Sequence, residues 1–260
     1  IYKSTDAGNS WSELTDGLDI KENVNRIELA VTPDNPQVIY ALASDVKTDG
    51  FYALYKSRNN GLSWNKVYDN SGKNLLGWSI NGGGKGGQGW YDLSLAVAPN
   101  DENTIFVGGV NIWKSVNGGR NFEISAHWVG SENVPYVHAD HHMLKFRQTD
   151  NRLFSCNDGG IYESEDYGTS WIDISQGLEI LQIYRISSSQ SVFDLHITGN
   201  QDNGSMKRSA TEWFEINGAD GMECIIDPSD PDLMFTSFYY GNFFRTYDGG
   251  KTFSPIGPPE

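Results

Sequence analysis

Ser4-Thr5-Asp6-Ala7-Gly8-Asn9-Ser10-Trp11 decides the fold, because the chain repeats the pattern of this stretch four more times. The repeats occupy residues 57–64, 115–122, 164–171 and 246–253, and all five stretches follow S/T-x-D/N-x-G-x-x-W/F. We call them the box segments. In a tight turn an Asp or Asn side chain hydrogen-bonds nearby backbone, a glycine adopts positive φ, and an aromatic ring packs beneath the next element. Recurrence every 49 to 58 residues, with one longer gap, indicates a repeat architecture.

Each repeat has the same order of β-rich runs and turns. In the first full repeat, the run 26–31 is followed by a Pro/Asp/Asn turn at 33–36, a second run at 38–43 and a third at 53–57. Four short strands per repeat with little helical periodicity are typical of a propeller blade. The sequence therefore predicts an all-β fold, a β-propeller of four-stranded antiparallel blades.

We expect one propeller segment over residues 1–260, with about five blades and a half. The half-blade is expected at 1–20 and the full blades at 21–70, 88–126, 138–175, 180–217 and 220–257. An unpaired half-blade exposes strand edges that proteins normally avoid. We therefore expect the segment to belong to a longer parent chain and a larger ring.

Composition limits the classes of partner. The formal net charge of −15 argues against nucleic acid, whose binding needs a basic surface. No apolar run approaches the roughly eighteen residues of a spanning helix, so we expect no membrane insertion. The acidic balance suits a secreted protein and the binding of cations.

Antiparallel strands place the connections of a blade at two opposite faces. The box segments share one face, here called the box face, with the turns between first and second strands. The opposite face, here called the polar face, carries the links into first strands and the links between second and third strands. Its stretches combine carboxylates, imidazoles and aromatic rings: 89–92, 108–111, 138–142, 157–160, 201–204, 219–223 and 239–242. We expect these stretches, from four successive blades, to meet around one channel mouth and form a binding site.

The box pattern is the Asp-box, or BNR repeat, and the order of the polar stretches resembles the Asp-box propellers of the sortilin type, especially their secreted bacterial relatives. The resemblance covers nearly the whole chain through residues 90–92, 138–142, 157–160, 201–204 and 220–223. More distantly, the chain is similar to the xyloglucan hydrolases of glycoside hydrolase family 74, in which an aspartate leading into an inner strand serves as acid or base. The resemblance implies an extracellular or cell-surface location.

Four aspartates of the polar face are candidates for catalysis: Asp92, Asp140, Asp202 and Asp220. Inverting glycoside hydrolysis needs two carboxyl groups about 6.5 to 9.5 Å apart, one of them kept protonated by its surroundings. Asp-Gly and Asp-Asn-Gly are also favoured turn sequences, so for any single aspartate turn formation is the favoured explanation.

Further residues of the polar face are candidates for ligand contact: Trp90, Tyr91, Asn111, His138, His142, Asp158, Gln201, Asn203, Glu223, Tyr239 and Tyr240. Flat aromatic rings beside carboxylates suit the stacking of sugar rings. The same rings can instead fill the seam between blades.

One group within this set has the composition of a metal site. His138, Asp140 and His142 alternate along an extended stretch, and Asp158 from the adjoining turn completes a set of nitrogen and oxygen ligands. The acidic loops also offer oxygen ligands for calcium. Packed histidines and turn-forming aspartates are the alternative explanation.

The residues thus favour a secreted or surface-attached propeller that binds an extracellular ligand, a glycan first among them, through its polar face. A xyloglucanase-like glycoside hydrolase with an acid and a base is the alternative. A protein-binding scaffold of the sortilin type is a further one. The hydrolase requires two carboxylates facing a cleft, whereas in a scaffold turn hydrogen bonds would engage the carboxylates.

Overall fold

The computed structural model describes residues 1–178 and 181–257. Within these residues the strands form five four-stranded antiparallel sheets and one two-stranded sheet, and the helical content is a single 3-10 turn at Tyr239–Gly241. No helix in the described part of the chain is long and apolar enough to cross a membrane. The prediction of an all-β chain built from five and a half propeller blades is confirmed.

The chain divides into two compact units, Ile1–Gln176 and Gly177–Glu260. The first unit holds the half-blade and blades one to three, and each sheet runs in chain order from its first to its last strand. The strands are β1 Tyr2–Lys3, β2 Ser12–Glu13, β3 Val24–Val31, β4 Ile39–Asp45, β5 Phe51–Ser57, β6 Asn65–Asp69, β7 Ser94–Ala98, β8 Asp101–Gly108, β9 Ile112–Ser115, β10 Glu123–Ala126, β11 His141–Phe146, β12 Leu153–Asn157, β13 Gly160–Ser164 and β14 Ile172–Asp173.

The second unit holds blades four and five. Its strands are β15 Ile183–Ser188, β16 His196–Asn200, β17 Ser205–Ser209, β18 Glu212–Asn217, β19 Cys224–Ile226, β20 Met234–Phe238, β21 Asn242–Thr246 and β22 Ser254–Ile256. Residue 180, the expected start of blade four, lies outside the described residues.

The core of the first unit lies between successive blades. Every residue of β7, the first strand of the middle blade, is buried, because β3 packs on one side of it and β11 on the other. Leu54 and Trp113 belong to the apolar cluster shared by blades one and two, and Phe106 and Leu144 to the one shared by blades two and three. The first strands are thereby fixed side by side, and so are the loops that lead into them.

The five box segments fold into the same turn. In each, the hydroxyl of the first residue accepts a hydrogen bond from the backbone N–H of the glycine at 2.7 to 3.1 Å. The third side chain, Asp or Asn, accepts one from the N–H of the seventh residue at 2.8 to 3.0 Å. In the four-stranded sheets each box segment follows the third strand, and in the two-stranded sheet it joins β1 to β2. In the four-stranded sheets these turns therefore lie at the opposite end of the blade from the link into the first strand.

Candidate functional site

Three stretches of the polar face meet in the first unit: the link into β7, the link into β11 and the β12–β13 turn. They bring together six side chains, which we call the Asp92 cluster: Gln88, Tyr91, Asp92, Asp140, His142 and Asp158. The predicted convergence of polar stretches from neighbouring blades thus occurs within this unit. It follows from the packing of the first strands, which places their leading loops side by side.

Asp92 and Asp140 form a carboxyl pair. The Gln88 amide nitrogen donates a hydrogen bond to Asp92 Oδ2 at 3.2 Å and another to Asp140 Oδ1. Asp92 is fully buried, and this burial raises its pKa to about 8, outweighing the Gln88 bond; the neighbouring Asp140 raises it further. Burial, and then the charge of Asp158, also raise the pKa of Asp140. A pKa of about 8 keeps Asp92 protonated at neutral pH, beside the Asp140 carboxyl group.

The backbone at Asp140 is unusual for a residue with a side chain. Its φ of 66° lies in the left-handed region, which Asp tolerates better than most residues. Asp92 Oδ1 is buried and has no hydrogen-bond partner among the described residues. A buried polar atom left unpaired costs free energy, so this carboxyl is poorly stabilised where it stands.

Asp158 holds two other members of the cluster. Its Oδ2 accepts a hydrogen bond from the Tyr91 hydroxyl at 2.5 Å, and its Oδ1 lies 2.7 Å from His142 Nε2. The Tyr91 and His142 rings also meet edge to face, with centroids 4.9 Å apart. We call Tyr91, Asp158 and His142 the Asp158 array. The His142 side chain is 38% exposed, so this array reaches solvent.

Trp90 projects from the same loop and is 62% exposed. The loop is fixed from behind by Arg26, whose Nη1 donates to the Tyr91 carbonyl at 2.5 Å and to the Trp90 carbonyl at 3.2 Å. Gly89 packs so tightly that a Cβ there would lie 2.6 Å from Ser44 Cβ. The exposed indole therefore stands on a braced loop beside the Asp158 array.

Sequence reasoning missed Gln88 and Arg26. Gln88 lies four residues before Asp92 in the same loop, and a search for polar groups within one turn of a candidate carboxylate would have found it. Arg26 lies in β3 of the preceding blade, and nothing in the sequence links it to residues 90 and 91.

Several candidates occupy scaffold positions in the first unit. Asn111 is fully buried, donating to the Gly77 carbonyl and accepting from the Trp128 N–H. His138 packs over Gly159, where a Cβ would lie 2.2 Å from the imidazole ring. The intervening His141 is buried against the Ser155 hydroxyl, and burial lowers its pKa to about 3, so it is neutral.

The second unit holds the remaining candidates. Asp220 Oδ1 accepts a hydrogen bond from the Asp202 N–H at 2.8 Å, and the pKa of nearby Tyr184 is raised by burial and by both carboxylates. The Gln201 carbonyl accepts a bond from the Asn203 side chain at 3.0 Å. These contacts are those of a polar turn.

Three further candidates of the second unit lie apart from that turn. Glu223 Oε2 lies 3.4 Å from Arg185 Nε. Tyr239 and Tyr240 contact each other edge to face, and Tyr240 is 95% exposed. Within the described residues neither ring bonds to the Asp202–Asp220 turn. That all the polar stretches share one channel mouth stays a prediction.

The four residues of the predicted metal site already take part in hydrogen bonds with protein groups. Both oxygens of Asp158 contact Tyr91 and His142, and Oδ1 of Asp140 accepts a hydrogen bond from Gln88. His138 Nδ1 lies 3.2 Å from the Ala139 carbonyl. A metal bound by these four residues would replace several of these bonds, and the metal site, calcium included, stays a prediction.

No family model matches the chain, and no curated protein matches it in sequence. Among solved structures it is similar to the glycoside hydrolase family 74 xyloglucanase of Xanthomonas campestris, with 20% identity, a TM-score of 0.49, and coverage of 98% of this chain and 42% of that one. It is also similar to YCF48 bound to D1 peptide, with 11% identity, a TM-score of 0.41, and coverage of 98% and 74%. For the nidogen/laminin complex the identity is 11%, the TM-score 0.43 and the coverage 80% and 68%.

The chain spans between 35% and 42% of the length of the three family 74 enzymes to which it is similar. Likeness of this degree concerns the fold alone.

Proposed function

We propose that this chain is a propeller module, secreted or displayed on a cell surface, that binds a glycan through the Asp92 cluster. The observation that carries the proposal is the exposed Trp90 ring beside the solvent-facing array of Tyr91, Asp158 and His142. The apolar face of a sugar ring stacks on a flat indole, and its hydroxyl groups bond to carboxylate and imidazole atoms. Few but fixed polar groups beside an aromatic surface are typical of small-ligand sites.

The state of the carboxylates favours binding over hydrolysis. Asp92 is fully buried, and it shares one amide donor with Asp140, so the two carboxyl groups are closer than the roughly 6.5 to 9.5 Å that an inverting pair requires. Asp220 is engaged in a turn hydrogen bond. Carboxylates used in this way support a binding site rather than an acid and base across a glycosidic bond.

A glycoside hydrolase remains the second candidate, and one observation favours it. Asp140 is only partly buried and has a raised pKa, and a general acid requires a carboxyl group with a raised pKa close to solvent.

Calorimetric titration with neutral oligosaccharides tests the binding proposal. The panel contains xyloglucan, cello- and xylo-oligosaccharides, against the unmodified chain, Trp90→Ala and Asp158→Asn. Trp11→Ala is the matched control, because Trp11 is 63% exposed and lies on the box face. We expect Trp90→Ala to weaken binding about tenfold or more, which corresponds to about 1.4 kcal/mol.

Equal affinities in Trp90→Ala and Trp11→Ala would contradict the proposed position of the site. Release of reducing ends in the same samples, lost in Asp140→Ala, would establish the hydrolase instead. If the chain is folded and no sugar of the panel binds, the glycan-binding proposal is wrong, and a protein-binding scaffold of the sortilin type becomes the leading alternative.

A further inference from the structure

Lysines of third strands, and of β1 in the half-blade, link neighbouring blades on the box face. In three places the ammonium group donates to the carbonyl of the fourth residue of the next box segment, and that residue has positive φ. The three pairs are Lys3 with Asn60 at 2.9 Å, Lys114 with Tyr167 at 2.7 Å and Lys207 with Gly249 at 2.5 Å. The left-handed conformation turns the carbonyl outward, where the lysine of the preceding blade reaches it.

The lysine at the interface between blades one and two, here called the seam, makes a different contact. Lys56 occupies the same position in β5, and the fourth residue of the next box segment is Gly118, with φ of 74°. Instead of bonding to that carbonyl, Lys56 Nζ lies 3.1 Å from Glu102 Oε1 and 3.5 Å from Asn103 Oδ1. The Lys56 side chain is only 6% exposed, so its ammonium group is held inside the seam.

A cavity of about 110 Å³ opens at this seam, enough for a group of several heavy atoms. Its lining includes three cationic side chains, Lys56, Arg58 and Arg120, and no carboxylate. Glu102 sits behind Lys56 and Arg58, and its other oxygen is taken by Asn35 at 2.7 Å. The Arg120 guanidinium forms no ion pair or hydrogen bond with the residues that the structure describes.

The two box segments next to this seam are also less acidic than the others. Their third residues are Asn59 and Asn117, whereas the other three segments have Asp6, Asp166 and Asp248. Asn117 lines the cavity, and an Asp at this position makes the same turn elsewhere in the chain. The turn therefore does not require the amide, and the amide removes one negative charge beside three cations.

We propose that this cavity binds a tetrahedral oxyanion, a sulfate or phosphate group, on the box face. Guanidinium groups match the oxygens of such an anion in two-point contacts, and a buried ammonium adds a charge-assisted hydrogen bond. Burial lowers the pKa of Lys56, against the attraction of Glu102, and the charges of Arg58 and Arg120 lower it further. An anion in the cavity supplies the charge that these three cations lack, in a chain whose net charge is −15.

Calorimetry with sodium sulfate, against sodium chloride at equal ionic strength, tests the proposal. We expect sulfate to bind, and Arg120→Gln to weaken it about tenfold, the value of one charged hydrogen bond. Asn117→Asp should weaken sulfate binding similarly while keeping the turn. Asn59→Asp is the matched control, because it makes the same change at a residue that does not itself line the cavity.

The anion-free melting temperature gives an independent readout. Arg120→Gln should melt at the same temperature as the unmodified chain or higher, because it removes a repulsion, and sulfate should raise that temperature less in the variant. Equal effects of Asn117→Asp and Asn59→Asp on sulfate binding, or no sulfate binding beyond chloride, would overturn the proposal. A sulfated disaccharide that binds more tightly than free sulfate, with its desulfated counterpart inactive, identifies a glycan sulfate as the source; equal binding identifies a free anion.

Discussion

The box segments and the Asp92 cluster place the same type of side chain, an aspartate, in environments that shift its pKa in opposite directions. In the exposed box segment of the half-blade, hydrogen bonds from the Ser10 side chain and backbone, and then from Ser4, lower the pKa of Asp6 to about 2. Bonds from Thr246 and Thr252 hold the pKa of Asp248 far below its usual range. In the cluster, burial raises the pKa of Asp92 to about 8.

This contrast separates structural carboxylates from candidate functional ones. A box carboxylate is the acceptor around which its turn closes, so an ionised Asp stabilises the turn more than a protonated Asp does. The charged form of Asp92 destabilises the fold, since its environment offers it one donor and little solvent. Groups kept in unfavourable protonation states cluster at functional sites, which is why the cluster, and not the more numerous box segments, is the candidate site.

The largest expected effect is the pH dependence of stability in the cluster. Because the pKa of Asp92 is raised from 3.8 to about 8, its contribution is fully present below pH 3.8 and is lost as pH rises through 8. The loss is on the order of 5 kcal/mol. Asp92→Asn stays neutral, so urea unfolding from pH 4 to 9 should show a much flatter profile in this variant. Asp6→Asn, the control, should keep the slope of the unmodified chain.

A smaller loss of stability is expected when the glycine of a buried box segment is replaced. A Cβ at Gly168 would lie 2.4 Å from Ser125 Oγ and 2.6 Å from Phe106 Cε1, and its φ is 77°. Gly168→Ala should lower the free energy of unfolding by about 2 to 3 kcal/mol. Gly8→Ala has the same strained backbone but a nearest neighbour at 3.9 Å, and should cost about 1 kcal/mol. Equal losses would show that neighbouring blades do not constrain the turn.

Removal of the Tyr91 hydroxyl tests whether the Asp158 array contributes to stability. Tyr91→Phe removes the hydrogen bond to Asp158 and should lower the free energy of unfolding by about 1 to 2 kcal/mol. The control is Tyr247→Phe on the box face, where the ring is 65% exposed. If both variants unfold at the same denaturant concentration, the array contributes no stability.

The smallest effect on stability is expected from the replacement of Asp6 by Asn. Its folded pKa is depressed, so its stabilising contribution is present above pH 3.8 and is lost as pH falls towards 2. Asn holds the same position in two other box segments with the same backbone bond, so Asp6→Asn should unfold like the unmodified chain at pH 7. Only its profile between pH 4 and 2 should flatten. A clear loss at pH 7 would show that the turn needs the charge.

The sequence was sufficient to predict the repeat and several residues of the candidate site. The spacing of the box segments predicted the four-stranded blades, and blade topology predicted that the links at Asp92 and Asp140 would meet near Asp158. The burial of Asp92 was not predictable, because it depends on how three loops pack, and neither was the brace from Arg26, which comes from another blade. The burial of Asn111 was not predictable either, because an amide in a polar stretch can bond to backbone groups of other loops instead of facing solvent.

The most direct test of this account is a titration of aspartate carboxyl groups by carbon-13 NMR, with Asp92→Asn and Asp6→Asn used to assign the two signals. We predict midpoints near pH 8 for Asp92 and near pH 2 for Asp6. A midpoint for Asp92 close to its ordinary value of 3.8 would contradict the account, because the cluster would then differ in no energetic respect from the turns of the box face.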